Sequence, residues 1–229
     1  EDYTHLTKGV WTTSDNTNSL VASLLHNYRI KENDIQGSLR REKFTISVGD
    51  ELPPGIKKLA KVGQKPKAMI IACCDSRLNV ASIFGAREGD FFIHRNIANI
   101  IPPYGSTKTD HSTFAAIEYA IKELKVPNFI VLGHTKCGGI KAGHSQHMKG
   151  QNKKYKFINS WLSNLRTAYK NIPKKLSIEN QINFLEEENI RVSIYNLMQF
   201  PIVTKMVKNK KLSIFGLIYD ISSGDIKSL

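Results

Sequence analysis

Short apolar runs alternate along the chain with longer segments in which apolar residues recur every three or four positions. Four runs have the length of buried strands: 67–73, 91–94, 128–133 and 212–219. The helical spacing predicts helices at 20–28, 56–62 and 110–124, and a long helical stretch from about 138 to 200, interrupted near Pro173. Strands that alternate with helices predict an α/β fold, in which a central, mainly parallel β-sheet is flanked by helices.

The distribution of polar residues predicts one domain with a short arm. Residues 1–16 are rich in Thr, Ser, Asn and Asp and predict a polar N-terminal arm, and residues 17–229 predict a single domain. No apolar run approaches the length of about 18 residues that a membrane span needs, so no membrane association is expected. The first five residues also lack the pattern of a signal peptide.

The cysteine content predicts a reducing compartment. The chain has three cysteines, Cys73, Cys74 and Cys137. This number is small and odd, and two of the residues are sequence neighbours, so a disulfide framework is not expected. Free or metal-bound thiolates are the natural state of such cysteines, and we expect a cytoplasmic protein.

The net charge of +13 is concentrated in one stretch of the sequence. No Asp or Glu occurs between Leu124 and Ile178, where eleven Lys and Arg residues lie. Such a stretch is compatible with nucleic-acid binding or with the steering of anions. Within it, however, residues 154–170 have apolar side chains on one helical face and basic ones opposite. We therefore favour a solvated basic helix face and expect no nucleic-acid partner.

Two clusters of reactive side chains directly follow predicted strands. The first cluster contains Cys73, Asp75 and Arg77, and the second contains His134 and Cys137. If the two strands are neighbours in a parallel sheet, their carboxyl ends bring both clusters to one edge. Two cysteines and one histidine form an accepted zinc ligand set that leaves one coordination position open. The sequence therefore predicts a zinc site built from Cys73, His134 and Cys137.

The sequence pattern does not determine which group occupies the fourth coordination position of the zinc ion. Asp75 lies two residues after Cys73, on the same face, and is a conditional fourth ligand unless Arg77 holds it in a bidentate ion pair. Cys74 points to the opposite face. The alternative is that the cysteines are small buried hydrophobic residues and that His134 is a core histidine. The coincidence of three ligands at strand ends argues against it. His144 and His147 form a second histidine pair, which we interpret as surface residues.

The chain closely resembles the β-class carbonic anhydrases, and within them the plant-type subclass. The resemblance extends from about Leu20 to the C terminus and rests on ordered motifs: Cys73-x-Asp75-Ser76-Arg77, Arg95-Asn96-x-Ala98-Asn99, Glu118-Tyr119-Ala120, Gly133-His134-x-x-Cys137-Gly138-Gly139, Phe200-Pro201 and Gly216-x-x-Tyr219-Asp220-Ile221. The paired zinc motifs are highly specific, because they occur in the right order and about sixty residues apart.

The resemblance implies the fold of that family and one Zn²⁺ ion per chain. It implies zinc-dependent, reversible hydration of CO₂ to bicarbonate and a proton, through attack by a zinc-bound hydroxide. The implied catalytic pair is Asp75 and Arg77. The implied substrate-binding residues are Gln64, Phe92, Tyr119 and Gly138. In the family the aromatic residues come partly from a neighbouring subunit, so a homodimer or a higher homo-oligomer is also expected.

Two other functions remain open at this point. Relatives with this fold use the same zinc site to hydrolyse CS₂ or COS, and the sequence alone does not separate those substrates from CO₂. A basic, zinc-stabilised nucleic-acid-binding protein is the other alternative. The basic stretch lacks interleaved exposed aromatic residues and a known binding motif, so this second alternative is disfavoured.

Overall fold

One five-stranded sheet organises the part of the chain that the computed structural model describes, residues 54–105 and 111–229. The strands are β1 (Ala68–Cys73), β2 (Phe91–Asn96), β3 (Asn128–His134), β4 (Ser213–Tyr219) and β5 (Ile226–Ser228). Their order is β2-β1-β3-β4-β5. The first four strands are parallel, and β5 is antiparallel to β4. The predicted mainly parallel sheet is confirmed.

Helices connect these strands and cover the sheet. They are α1 (Pro54–Val62), α2 (Val80–Ile83), α3 (His111–Lys122), α4 (Gly138–Lys149), α5 (Lys156–Leu162), α6 (Arg166–Lys170), α7 (Ile178–Met198) and α8 (Pro201–Lys208). Short 3₁₀ turns occupy Ile97–Asn99 and Ser163–Leu165. The predicted N-terminal arm, its boundary at residue 17 and the predicted helix at 20–28 lie outside the described residues.

β1 is buried along its whole length because both faces of the sheet are covered. Met69 and Ile71 belong to a core cluster that includes Ile117 of α3. The alternate residues Ile70 and Ala72 belong to a different cluster. A strand whose successive side chains are all buried reads as a continuous apolar run, which is why periodicity identified it from the sequence.

The predicted long helix between residues 138 and 200 is wrong in its continuity. α4 ends at Lys149 because Gly150 follows with a φ of 84°, a left-handed conformation that glycine adopts at little cost. α5 and α6 are separated by a 3₁₀ turn, so the segment 154–170 is not one helix. Its apolar stripe is nevertheless buried, as predicted, at Leu162, Leu165 and Ala168.

The order of the strands fixes where the reactive clusters lie. β1 and β3 are adjacent and parallel, with Ala72 paired to Leu132. Cys73 and His134 are the last residues of these two strands, so they lie at the same edge of the sheet. None of the described helices is long and apolar enough to cross a membrane.

Candidate metal centre

Three potential metal ligands meet at the carboxyl edge of the sheet. The ligand atoms of Cys73, His134 and Cys137 all lie within 4.8 Å of one another, and the two sulfur atoms are 3.9 Å apart. All three residues are buried. Cys74 is exposed and lies outside this group, as expected for the next residue along an extended chain. A buried Cys₂His set with room for one more ligand is typical of catalytic zinc sites.

The hydrogen bonding of His134 fixes which nitrogen faces the other ligands. Its Nδ1 donates to the backbone carbonyl of Thr135 at 2.9 Å, so in the neutral ring Nε2 is the nitrogen with the free lone pair. Nε2 is buried and has no hydrogen-bond partner. A buried acceptor without a partner is costly, and a metal ion bound there removes that cost. The residues present therefore fit a zinc ion.

Cys137 is presented by the start of α4. It is the N-cap residue of this helix and follows Lys136, whose φ of 56° turns the chain sharply. Backbone N–H groups at the start of this helix lower the pKa of the Cys137 thiol, but its hydrogen bond with Cys73 raises that pKa by more. The Cys137 backbone N–H also donates to Oε1 of Glu186 at 2.8 Å. Hydrogen bonding between the two sulfurs lowers the pKa of Cys73 and raises the pKa of Cys137, because the pair shares one proton.

Asp75 is held beside the ligand group by Arg77. Arg77 Nε donates to Oδ1 at 2.8 Å and Nη2 donates to Oδ2 at 2.7 Å, which is a bidentate ion pair. The Arg77 backbone N–H donates to Oδ1 as well. These hydrogen bonds from Arg77 hold the pKa of Asp75 far below its ordinary value. Oδ2 lies 3.8 Å from Nε2 of His134, so the carboxylate is adjacent to the metal position but committed to Arg77.

Two residues from β2 hold the loops that surround the ligand group. Arg95 donates to the backbone carbonyl of Cys73 at 2.9 Å through Nε and to that of Asp75 at 2.7 Å through Nη2. Asn96 is the register partner of Cys73 and uses its amide to bind both backbone groups of Ile100. Both residues orient the backbone around the ligands and do not belong to the ligand group.

The residues predicted to bind substrate do not all meet the ligand group within one chain. Gly138 directly follows Cys137, and a Cβ atom added to it would meet no other atom within 4 Å. Phe92 and Tyr119 pack on each other, with ring centroids 5.8 Å apart. Phe92 precedes Asn96 by four residues on β2, which places it about 13 Å from that edge of the sheet. Gln64 is exposed in the loop before β1.

Sequence reasoning missed a buried polar face of α7. Its members are Glu186, Asn189, Ser193 and Asn196, all buried. They bind backbone groups in the loops around the ligands. Their spacing of three, four and three residues was a readable signal, since it places four polar side chains on one helical face.

The prediction that His144 is a surface residue is wrong. His144 is buried, and its Nε2 lies 2.8 Å from Oε1 of Gln181 on α7. This partner lies 37 positions further along the chain and was not visible in the local sequence pattern. His147 is exposed and stacks on the ring of Tyr169 at 4.3 Å.

Comparison with known proteins identifies the class to which this fold and site belong. The family model described as carbonic anhydrase matches residues 68–226. Over 185 residues the chain is 40% identical to beta carbonic anhydrase 3 of Arabidopsis thaliana, covering 79% of this chain and 70% of that protein. It is also similar to a tetrameric beta-carbonic anhydrase of Sordaria macrospora, with a TM-score of 0.66, 33% identity and coverage of 76% of this chain and 85% of that one.

The chain belongs to the β-carbonic anhydrase family. It is a zinc-dependent enzyme that hydrates CO₂ reversibly to bicarbonate. The family model begins at residue 68, whereas the match to the Arabidopsis thaliana relative covers 79% of this chain and therefore includes residues before it.

A further match is to a protein of a different kind. A stretch of 62 residues, 27% of this chain, is 77% identical to the DNA-directed RNA polymerase subunit beta of Christiangramia forsetii, of which it covers 5%. Since it represents so little of the polymerase subunit, the match assigns no polymerase activity to this chain.

Proposed function

We propose that Cys73, His134 and Cys137 hold the catalytic zinc ion, one per chain. The observation that carries this proposal is the buried, unpartnered Nε2 of His134 beside two sulfur atoms that lie 3.9 Å apart. Zinc, when bound, supplies the Lewis acidity that makes a water molecule nucleophilic near neutral pH. The protein supplies three ligands, an open position and a neighbouring carboxylate.

The two adjacent cysteines allow a matched test of the ligand set. Cys73→Ser removes a proposed ligand. Cys74→Ser makes the same replacement of sulfur by oxygen at the exposed neighbouring residue. We expect Cys73→Ser to lose both bound zinc and CO₂ hydration, and Cys74→Ser to keep both. The zinc content of each variant is measured by elemental mass spectrometry, and its rate of CO₂ hydration is measured by stopped flow on the same sample. Zinc retained in full by Cys73→Ser would contradict the ligand assignment.

Asp75 and Arg77 form the proposed catalytic pair. Because Arg77 holds both carboxylate oxygens, Asp75 stays ionised and oriented, with Oδ2 facing the metal position. In that state Asp75 accepts a hydrogen bond from the reacting water and directs the lone pair of the water oxygen towards CO₂. Asp75 becomes a fourth ligand only when its hydrogen bonds to Arg77 are broken, which closes the position that the reaction needs.

Gln64, Phe92, Tyr119 and Gly138 are the proposed substrate-binding residues. Gly138 lies at the ligand group of its own chain. Phe92 and Tyr119 lie away from that group, and Tyr119 is 47% exposed. We assign both aromatic residues to the site of a second copy, where their rings provide an apolar wall for CO₂. The exposed Gln64 donates a hydrogen bond to an oxygen of bicarbonate as negative charge develops.

A homo-oligomer follows from this division of residues between copies. Large apolar side chains remain exposed on the described chain, among them Tyr104 and Phe157, the latter 83% exposed. Exposed apolar surface of this kind favours burial against another copy. The Sordaria macrospora relative is described as tetrameric. The mass in solution, measured by light scattering after gel filtration, tests the proposal, and a monomer with full activity would contradict it.

A reducing, cytoplasmic location is proposed from the state of the thiols. The sulfur atoms of Cys73 and Cys137 lie close together without a disulfide between them. An oxidising compartment favours the joining of such thiols, which would remove two zinc ligands. Cell fractionation followed by immunoblotting tests this location, and recovery of the protein from an oxidising compartment would contradict it.

A further inference from the structure

The turn after β2 contains two residues in a costly backbone conformation. Ala98 has a φ of 62° and Asn99 a φ of 46°, in the left-handed region that residues with a Cβ atom rarely adopt. Both residues are buried. Backbone in such a conformation persists only where surrounding contacts hold it, and it concentrates at functional sites. The contacts that hold Ala98 therefore indicate what the turn does.

Each side of Ala98 is bound by a different part of the molecule. Its backbone N–H donates to Sγ of Cys73 at 3.3 Å. Its backbone carbonyl accepts a hydrogen bond from Nδ2 of Asn189 at 2.7 Å. Gly139 packs so closely here that an added Cβ atom would lie 3.0 Å from the Cβ of Ala98. Asn189 thus fixes the peptide that follows Ala98, while the N–H that precedes it is aimed at a metal-ligating sulfur.

A hydrogen bond to a metal-bound thiolate has a chemical consequence. It withdraws electron density from the sulfur, which reduces the charge that the ligand donates to the metal. It also fixes the position of the sulfur before the metal arrives. The Ala98 N–H can serve both purposes only while the turn keeps its left-handed conformation.

We propose that Asn189 is a positioning residue of the zinc site: by binding the Ala98 carbonyl it holds Ala98 in the conformation in which the Ala98 N–H donates to the Cys73 sulfur. Asn189 touches neither the metal position nor the substrate, so it acts through Ala98. The inference rests on Cys73 being a zinc ligand, as proposed above.

The same helix provides a matched control. Asn196 is also a buried asparagine on α7, and its Nδ2 donates to the backbone carbonyl of Ile101 at 2.8 Å. The bond type, length and burial resemble those of Asn189. Ile101, however, donates its N–H to Oγ of Ser193 and not to a metal ligand. A merely structural role predicts equal effects for the two asparagines.

The test compares Asn189→Leu with Asn196→Leu in the full chain. Each variant is loaded with Co²⁺ to record the thiolate-to-metal charge-transfer absorption, and its Zn²⁺ dissociation constant is measured by chelator competition. We expect Asn189→Leu to move the absorption to longer wavelength and to weaken zinc binding about tenfold. Asn196→Leu should leave the absorption unchanged and zinc binding within about twofold of the unsubstituted chain.

The outcomes separate this inference from the ligand assignment. Charge-transfer absorption in the unsubstituted cobalt-loaded chain establishes thiolate ligation independently of either asparagine. Equal changes in both variants, or none in Asn189→Leu, would overturn the role of Asn189. If a leucine variant does not fold, Asn189→Ala and Asn196→Ala are compared in the same way, and the same difference between them is expected.

Discussion

The metal-ligating residues and the aromatic residues assigned to substrate binding are organised in opposite ways. Cys73, His134 and Cys137 converge within one chain, because adjacent parallel strands end at the same edge of the sheet. Phe92 and Tyr119 contact each other but lie away from that edge. We therefore propose that one chain is sufficient to bind the metal, whereas the apolar wall of the site is completed by a second copy. The predictions below test this division.

The largest effect is expected from removing the histidine ligand. His134→Gln should abolish zinc binding and reduce hydration to the uncatalysed rate, because the remaining two sulfurs do not complete the Cys₂His set. His144→Gln is the matched control, since His144 is also buried but bonds to Gln181. It should keep its zinc. The zinc content and the rate of CO₂ hydration are measured for both variants. Equal zinc loss in both would contradict the assignment of His134 as the histidine ligand.

Asp75→Asn should lower the turnover of CO₂ about 100-fold while zinc content stays near one per chain. The amide keeps the shape of the carboxylate but cannot form the same charged pair with both Arg77 donors. Turnover and metal content measured on one sample separate a catalytic role from a ligand role. Loss of zinc in proportion to loss of activity would show that Asp75 holds the metal instead.

Phe92→Ala should lower the turnover about tenfold, because the apolar wall for CO₂ is lost. Phe91→Ala is the control, since Phe91 packs on Phe84 instead.

Mixing subunits shows which chain Phe92 serves. If Phe92 acts in the site of the neighbouring copy, a Phe92→Ala chain paired with an Asp75→Asn chain contains one intact site. Activity should then rise above that of either variant alone after subunit exchange. No recovery in mixtures shown by mass to contain both chains would place Phe92 in its own chain's site.

The smallest effect is a pH dependence of stability. The folded-state pKa of Asp75 is depressed by Arg77, so the ion pair stabilises the protein fully above the ordinary carboxyl pKa of 3.8. This contribution is lost as the pH falls below that value towards the folded-state pKa. The stability advantage of the unsubstituted chain over Asp75→Asn should therefore shrink from pH 5 towards pH 3, as measured by urea unfolding. An advantage independent of pH would contradict the assigned cause.

Asp90→Asn serves as the comparison for this pH dependence. The Lys67 partner of Asp90 is largely exposed, and exposed pairs contribute little to stability. The pH-dependent difference should therefore be smaller for Asp90→Asn than for Asp75→Asn. An equal or larger difference for Asp90→Asn would mean that the Asp75–Arg77 pair contributes no more to stability than an exposed ion pair does.

The strands and the ligand group could be predicted because their signals are local. A six-residue apolar run such as β1 identifies a buried strand, and the spacing of His134 and Cys137 places two ligands in one turn. The single domain predicted for residues 17–229, the N-terminal arm and the cytoplasmic location stay predictions.

Contacts between distant segments could not be predicted in the same way. Asn189 binds a carbonyl 91 positions earlier in the chain, and Glu186 binds an N–H 49 positions earlier. The spacing of these residues on α7 indicated a polar face, but only the packing of that helix on the sheet shows which loops it meets. The end of α4, in contrast, could have been predicted from the sequence. Gly150 is a typical residue after a helix C terminus, and the prediction of one long helix did not take it into account.

The measurement that tests the central claim most directly is stopped-flow CO₂ hydration near pH 7 and near pH 8.5, with zinc content determined on the same sample. Two thiolates neutralise the charge of Zn²⁺ and make it a weaker acid catalyst than three neutral histidines would, so activity should rise with pH. About one zinc per chain, with hydration increasing between the two pH values, is the predicted result. Full zinc content with no hydration at either pH would contradict the account.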